Sequence, residues 1–366
     1  MFKDKIKMTC RSLVIVCSLL WTAAVLPFSA DAFAKTHPSF GPITLREQNP
    51  IYLQNLGLTP TRATALPEGT IEARLDWAYS SVFEQGQSLT NQVTLDMEMM
   101  RLGAHMLYGL TSNLEVGIEL PFYHSGGGFL DSFIQDFHRF FGLPNGGRET
   151  VFNNQYAYQF FSGGNLIYNV PSQSFMLGDI TLRFKHHLVE ETKACPALAW
   201  FADIKLPTGS QSRGTGSGAP DFGIGVALEK NYKRIHGYLD VEYIVAGGND
   251  RFDAFMRQTM LAFAAAFEVT ILDTWSGIVQ LSGSSPLLAH TGMETWDGVP
   301  MNLIVGFRGE EKGLIGGNDL FWQAGFSEDI LSSGPSVDFT AFLSLGIRFH
   351  KPKRVFNQTQ WLARKR

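Results

Sequence analysis

The chain has 366 residues, 45% of them hydrophobic and 17% charged, with 37 glycines, 29 phenylalanines and a formal net charge of −4. That balance excludes the bulk basic character of a nucleic-acid binder. Cys195 is the one cysteine outside the first 34 residues, so removal of that segment leaves neither an intramolecular disulfide nor a cysteine-based metal site.

Residues 1–34 read as a secretory signal peptide. Lys3, Lys5, Lys7 and Arg11 give a basic start, Ser12 to Phe28 an apolar stretch, and Ala32-Phe33-Ala34 a small-x-small cleavage site. The run is short for a retained membrane anchor, and Val14-Ile15-Val16-Cys17 lacks the small residue that lipid attachment requires before cysteine. Residues 35–68 contain Pro38, Pro42, Pro50, Pro60 and Pro67 without alternation. They read as a periplasmic lead-in or an inward plug.

From residue 69 to 349, period-two alternation recurs. Ile71, Ala73, Leu75, Trp77, Tyr79 and Phe83 share a face opposite Glu72, Arg74 and Asp76. Val93, Leu95, Met97 and Met99 are expected outward, and the apolar face then slips one place to Leu102, Ala104, Met106 and Tyr108, which predicts a bulge near Met100. The third strand sets Leu114 to Phe122 against Glu115 and Glu119. The fourth sets Ile180, Leu182 and Phe184 against Asp179, Arg183 and Lys185, and the fifth places Asp203 and Lys205 on its polar side. A sixth runs from Phe222 to Leu228, and a seventh, Ile235 to Val245, hides Asp240 and Glu242. Further strands follow at about 259–271, 275–286, 299–308 and 319–327. The last, Val337 to Phe349, is apolar on one face and carries Arg348 on the other. Strands of this length cross a thin hydrocarbon layer at a tilt, and short connectors alternate with longer ones except near Glu310–Asn318, which is too long for its class.

The expected fold is all-β: a transmembrane up-and-down antiparallel β-barrel of about twelve strands. One amphipathic helix, 129–141, lies in a long extracellular insertion, 125–174. A soluble sandwich or lipocalin-like barrel would also alternate, but has no need for charge on nearly every opposing position. Residues 350–366 form a basic tail.

In the insertion, Phe129, Leu130, Phe133, Ile134, Phe137, Phe140 and Phe141 fill one arc at 100° per residue, and Asp131, Ser132, Gln135, Asp136, His138 and Arg139 fill the other. Three placements compete: against the barrel mouth, in the outer-leaflet boundary, or around a binding spot for an apolar solute at Phe133, Phe137, Phe140 and Phe141. His124, Asp131, His138 and Arg148 form a polar cluster in sequence. Ser125 beside His124 sketches a hydrolase, but neighbours in sequence rarely face each other as nucleophile and base. No catalytic residue, metal site or cofactor is assigned.

Leu95-Asp96-Met97-Glu98, Pro121 to His124 with the glycine run after it, Asp131, Phe137-His138, Gly142-Leu143-Pro144 and Arg148 form one set of motifs. Leu177-Gly178-Asp179-Ile180, Leu206 to Ser210, Gly216 to Ala219 and Glu328-Asp329 extend it. Together they resemble the signature of an uncharacterised bacterial outer-membrane β-barrel family, domain of unknown function 3187. The resemblance implies a barrel in the outer membrane of a Gram-negative bacterium and assigns no reaction.

The inward charges Glu72, Arg74, Asp76, Glu115, Glu119, Asp179, Arg183, Lys185, Asp203, Lys205, Asp240, Glu242 and Arg348 would line the lumen. The leading expectation is a non-enzymatic, narrow or gated channel for a small solute, an apolar one in one version, with the phenylalanine helix as gate. The alternatives are a structural or surface-interaction barrel with a closed lumen, and a membrane-embedded hydrolase. Expected partners are outer-membrane lipid, the barrel-assembly machinery through the C-terminal strand, and the solute, with no nucleic acid.

Overall fold

The outermost strands of a sheet carry unpaired backbone N–H and C=O groups, and the chain satisfies the last edge by pairing it with the first. The computed structural model describes residues 37–142, 147–331, 334–335 and 337–350. The expected signal peptide and the tail beyond His350 lie outside the described residues. The strands are β1 (Ile71–Gln87), β2 (Asn91–Gly109), β3 (Leu114–Gly126), β4 (Ala157–Ser162), β5 (Asn165–Asn169), β6 (Gln173–Leu177), β7 (Ile180–Val189), β8 (Ala197–Leu206), β9 (Asp221–Tyr232), β10 (Ile235–Val245), β11 (Thr259–Leu272), β12 (Trp275–Ser284), β13 (Met301–Ile315), β14 (Asn318–Asp329) and β15 (Phe339–Phe349). Among the described residues two α-helices join them, α1 (Asp131–Phe141) and α2 (Glu294–Asp297).

β15 pairs antiparallel with β1 from Ile71↔Phe349 to Ser81↔Phe339, and β2 with β3, closing a 12-strand barrel. β4, β5 and β6 belong to the insertion and extend the wall, β4 beside β2 and β6 beside β3. Closure removes the exposed strand edges that an open sheet would carry.

The barrel is apolar outside and charged within. Leu75, Met106, Ile224, Leu261, Phe267 and Leu345 are each about half exposed, whereas Glu72, Asp203, Lys205 and Glu242 are buried. A soluble barrel would reverse this arrangement, since so continuous a greasy wall is not left in water. The fold is that of an outer-membrane β-barrel.

Two local expectations change. β1 and β2 keep an unbroken register from Ile71↔Tyr108 to Gln87↔Gln92, so there is no bulge near Met100. Val93, Leu95, Met97 and Met99 point inward and are buried. The apolar face changes sides because the interior at that end is itself apolar. The link near Glu310–Asn318 is short, because β13 continues to Ile315. Gly316 and Gly317, with φ of 60° and 88°, then make the tight turn that side chains would resist.

Short turns gather at one end, here the turn end, together with the start of β1 and the finish of β15. The long connections 127–179, 207–220, 246–258, 285–300 and 330–338 gather at the other, the loop end. The link between β1 and β2, residues 88–90, is the short exception there.

Candidate functional site

The lumen is occupied by the chain's own N-terminal segment. Residues 37–70 include one 3₁₀ turn, Tyr52–Gln54, and no strand. The prolines remove amide donors and forbid a regular ladder, so the remaining backbone groups must find partners on the wall. Glu268 accepts from the Phe40 and Gly41 amides at 2.9 and 3.2 Å, and Gln280 from Ile43 at 3.0 Å. Asp221 accepts from Leu56 at 2.7 Å, and Glu115 from Leu66 at 2.9 Å. In the reverse sense, Arg308 donates to the Pro42 carbonyl, Arg183 to Thr59 and Lys205 to Gln54. Arg62 pairs with Glu229. Burial raises the pKa of Glu47 above the usual carboxylate range, although the Asn49 amide and the Asn302 side chain both bond to its charged form.

All thirteen charges assigned to the lumen from sequence are buried or partly buried. Arg74 meets Asp76 at 2.7 Å, Lys185 meets Glu115 at 3.0 Å, and the Arg183 Nε donates to Asp203 at 2.7 Å. Arg348 bridges Glu72 and Glu310 at 2.9 and 2.7 Å, and Glu119 pairs with Arg101. Asp240 accepts from the Thr61 amide at 3.3 Å. Glu242 is fully buried beside Gly223, where a Cβ would come within 2.0 Å of its carboxylate.

Three motifs distant in sequence converge on Asp179. Its carboxylate accepts from the Gly209 amide at 2.7 Å and the Ser217 amide at 3.2 Å. Lys205 binds Asp179 at 2.9 Å and Asp221 at 3.1 Å, and also reaches the Ser217 hydroxyl. The 206–219 loop is therefore folded around a buried ion cluster. A Cβ on Gly209 would lie 2.3 Å from the Thr215 carbonyl oxygen. Gly209→Ala is expected to destabilise the barrel by about 1–3 kcal/mol, the usual cost of overpacking, measured as a lowered guanidinium midpoint.

The lumen divides into two zones. Toward the turn end, a cavity of about 550 Å³ opens between the segment and the wall, bordered by Arg46, Arg62, Arg74, His105, Arg308 and Arg348 among others. Toward the loop end, connections fold inward and pack an apolar seal with Val82, Val93, Leu95 and Met97. Phe160 stacks on Trp296 with centroids 5.3 Å apart, and Phe252 lies 4.7 Å from Tyr168.

Helix α1 begins at Asp131 rather than at residue 129. The residues leading into it meet the outward face of β1 and β2 at the loop end, and the helix itself reaches β15 through Phe133. Phe129 packs 5.6 Å from Tyr79, and Phe133 lies 6.0 Å from Phe339. Phe133 and Phe140 are 52% and 82% exposed, so they do not enclose a lumenal spot. The side chains of Phe137, Phe141 and His138 lie outside the described ones. Of the polar cluster, Asp131 and Arg148 come together as a buried ion pair that also includes Asp338. His124 is exposed on the opposite face of β3 from buried Ser125, whose hydroxyl accepts from the Gln173 amide at 3.3 Å. The Ser125–His124 arrangement is thus not formed.

Sequence reading did not single out Glu268, Arg308 and Arg62 as partners of the N-terminal segment. Their inward parity on alternating strands was the available signal for the first two; nothing in the segment's composition pointed to the third.

The family described as Protein of unknown function (DUF3187) matches residues 16–349. A comparison with curated proteins gives no match. Among solved structures, the chain is similar to the COG4313 outer membrane channel from Pseudomonas putida F1, with 15% identity and a TM-score of 0.49, covering 80% of this chain and 100% of that one. It is also similar to the translocator domain of autotransporter NalP from Neisseria meningitidis, at 7% identity, TM-score 0.35, and 78% and 90% coverage. The P. putida toluene transporter TodX matches at 10% identity, TM-score 0.33, and 83% and 94% coverage.

Proposed function

We infer that this chain, which belongs to the family described as Protein of unknown function (DUF3187), is a narrow, gated outer-membrane channel for a small solute. One observation carries the reading: a separate peptide segment, rather than wall side chains meeting across the axis, occupies the lumen. A purely structural barrel of this size has no need for a separate filling, and the segment is held by polar contacts that water can replace together with apolar packing of Ile43, Leu45, Ile51, Leu56 and Leu58. In this reading the turn end faces the periplasm and residues 37–70 form the plug. The charged cavity is an aqueous vestibule, and the aromatic cluster around Trp296 is a dry constriction that favours an apolar or partly apolar solute.

The aromatic seal also supports a second reading, a surface or structural barrel that stays shut. Planar-bilayer recording separates the two. The full chain is expected to give small, intermittent current steps, and Trp296→Ala to lengthen them by loosening the constriction. Silence from both proteins, each shown to be folded, would favour the closed barrel.

A further inference from the structure

On helix α1, Phe133 and Phe140 are largely exposed, whereas Asp131 and Ile134 are buried. The buried carboxylate fastens the helix to the wall: Asp131 pairs with Arg148, which also reaches Asp338 and sits 5.0 Å above the Phe83 ring. Glu98, on the outward face of β2, accepts from the Phe129 amide at 2.7 Å and from Leu130, and receives the Tyr79 hydroxyl at 2.7 Å. Glu98 and Asp131 are 2% and 3% exposed. A helix packed for water keeps its carboxylates out and its phenylalanines covered, whereas here Asp131 is buried while Phe133 and Phe140 are left exposed.

We propose that α1 and the residues leading into it are a lipid-docking element, with Phe129, Phe133 and Phe140 inserted among the acyl chains at the upper edge of the outer leaflet. Continuity with the lipid-facing wall identifies the occupant. The contacts of Phe129 with Tyr79 and of Phe133 with Phe339 place their rings on the topmost residues of the outward apolar band. Phe339 in turn stacks 6.1 Å from Phe326, and Tyr79 stacks 5.9 Å from Trp77. The row reads as an aromatic girdle at one membrane boundary, locally widened by a helix. Asp136 and Arg139, both strongly exposed and ion-paired at 2.8 Å, lie on the headgroup side. Glu98 and the buried Asp131–Arg148 pair fix the height and roll of the helix, so Phe133 and Phe140 hold lipid without disturbing the lumen.

The test places a photoreactive benzophenone side chain on the full chain in dioleoyl phosphatidylcholine vesicles. Phe133→p-benzoylphenylalanine and Phe140→p-benzoylphenylalanine are expected to yield lipid adducts by mass spectrometry, while Asp136→p-benzoylphenylalanine yields several-fold fewer. Heat-modifiable gel migration confirms that each variant remains a folded barrel. Equal yields at all three positions, no lipid adduct at 133 and 140, or cross-links there only to the protein's own wall would each overturn the proposal.

Discussion

Lys205→Met is expected to destabilise the folded barrel by about 3–5 kcal/mol, the range for removing one partner from a buried ion cluster. Lys205 is 1% exposed and compensates two carboxylates, Asp179 and Asp221, that are themselves buried. It also donates to the Gln54 carbonyl at 2.9 Å, so the same ammonium joins wall, loop and N-terminal segment. Methionine retains much of the stem's packing and removes only the charge and the donors. The loss should appear as a lower guanidinium midpoint and a lower temperature for loss of heat-modifiable migration. Adding Asp179→Asn and Asp221→Asn should recover part of it, because the stranded charges are gone. An unchanged midpoint in the single variant would show that the cluster contributes nothing net.

The barrel was readable in the sequence because tilt, lipid and lumen impose one repeating demand: apolar outward, polar inward, every second residue. Pairs such as Leu75 with Asp76, or Leu345 with Ser344, carry that demand locally. β2 shows where it fails. Periodicity identifies two faces but does not label them. When Val93 to Met99 continue past the membrane into an apolar loop-end interior, the greasy face becomes the inner one without any break in register. A sequence reader sees a slip, while the strand itself is regular.

The helix repeats the lesson. Its 100° arc was legible, but its orientation depended on Arg148 and Asp338 from elsewhere in the chain, and on Glu98 from β2. Those partners decide that Asp131 goes inward and Phe133 stays out. The N-terminal segment was the least legible part. Its own contribution to the contacts is mostly backbone N–H and C=O, which every residue carries. Apart from pairs such as Arg62 with Glu229 and Glu47 with Asn302, the side-chain half of these bonds lies on the wall, and there the inward charges signalled a filled lumen without naming what filled it.

Glu268→Ala provides the sharpest test of whether that segment is a gate. Glu268 is fully buried on β11 and accepts from the Phe40 and Gly41 amides and from the Tyr238 hydroxyl. Bonds to a charged acceptor are worth roughly 1.5–3 kcal/mol each, and alanine also leaves buried donors without a partner. A loosening on the order of 3 kcal/mol is expected for the front of the segment. At about 1.4 kcal/mol per factor of ten, the displaced form would become roughly a hundredfold more populated. Bilayer recordings should then show openings that are far more frequent, with an unchanged unitary step, since the wall itself is not widened. Glu268→Gln keeps an acceptor oxygen and should move the frequency in the same direction by much less. If Glu268→Ala left the frequency at the parent's value while proteolysis of the N-terminal segment became faster, the segment would have moved without opening a path. The aromatic constriction at the loop end would then be the barrier that sets the current.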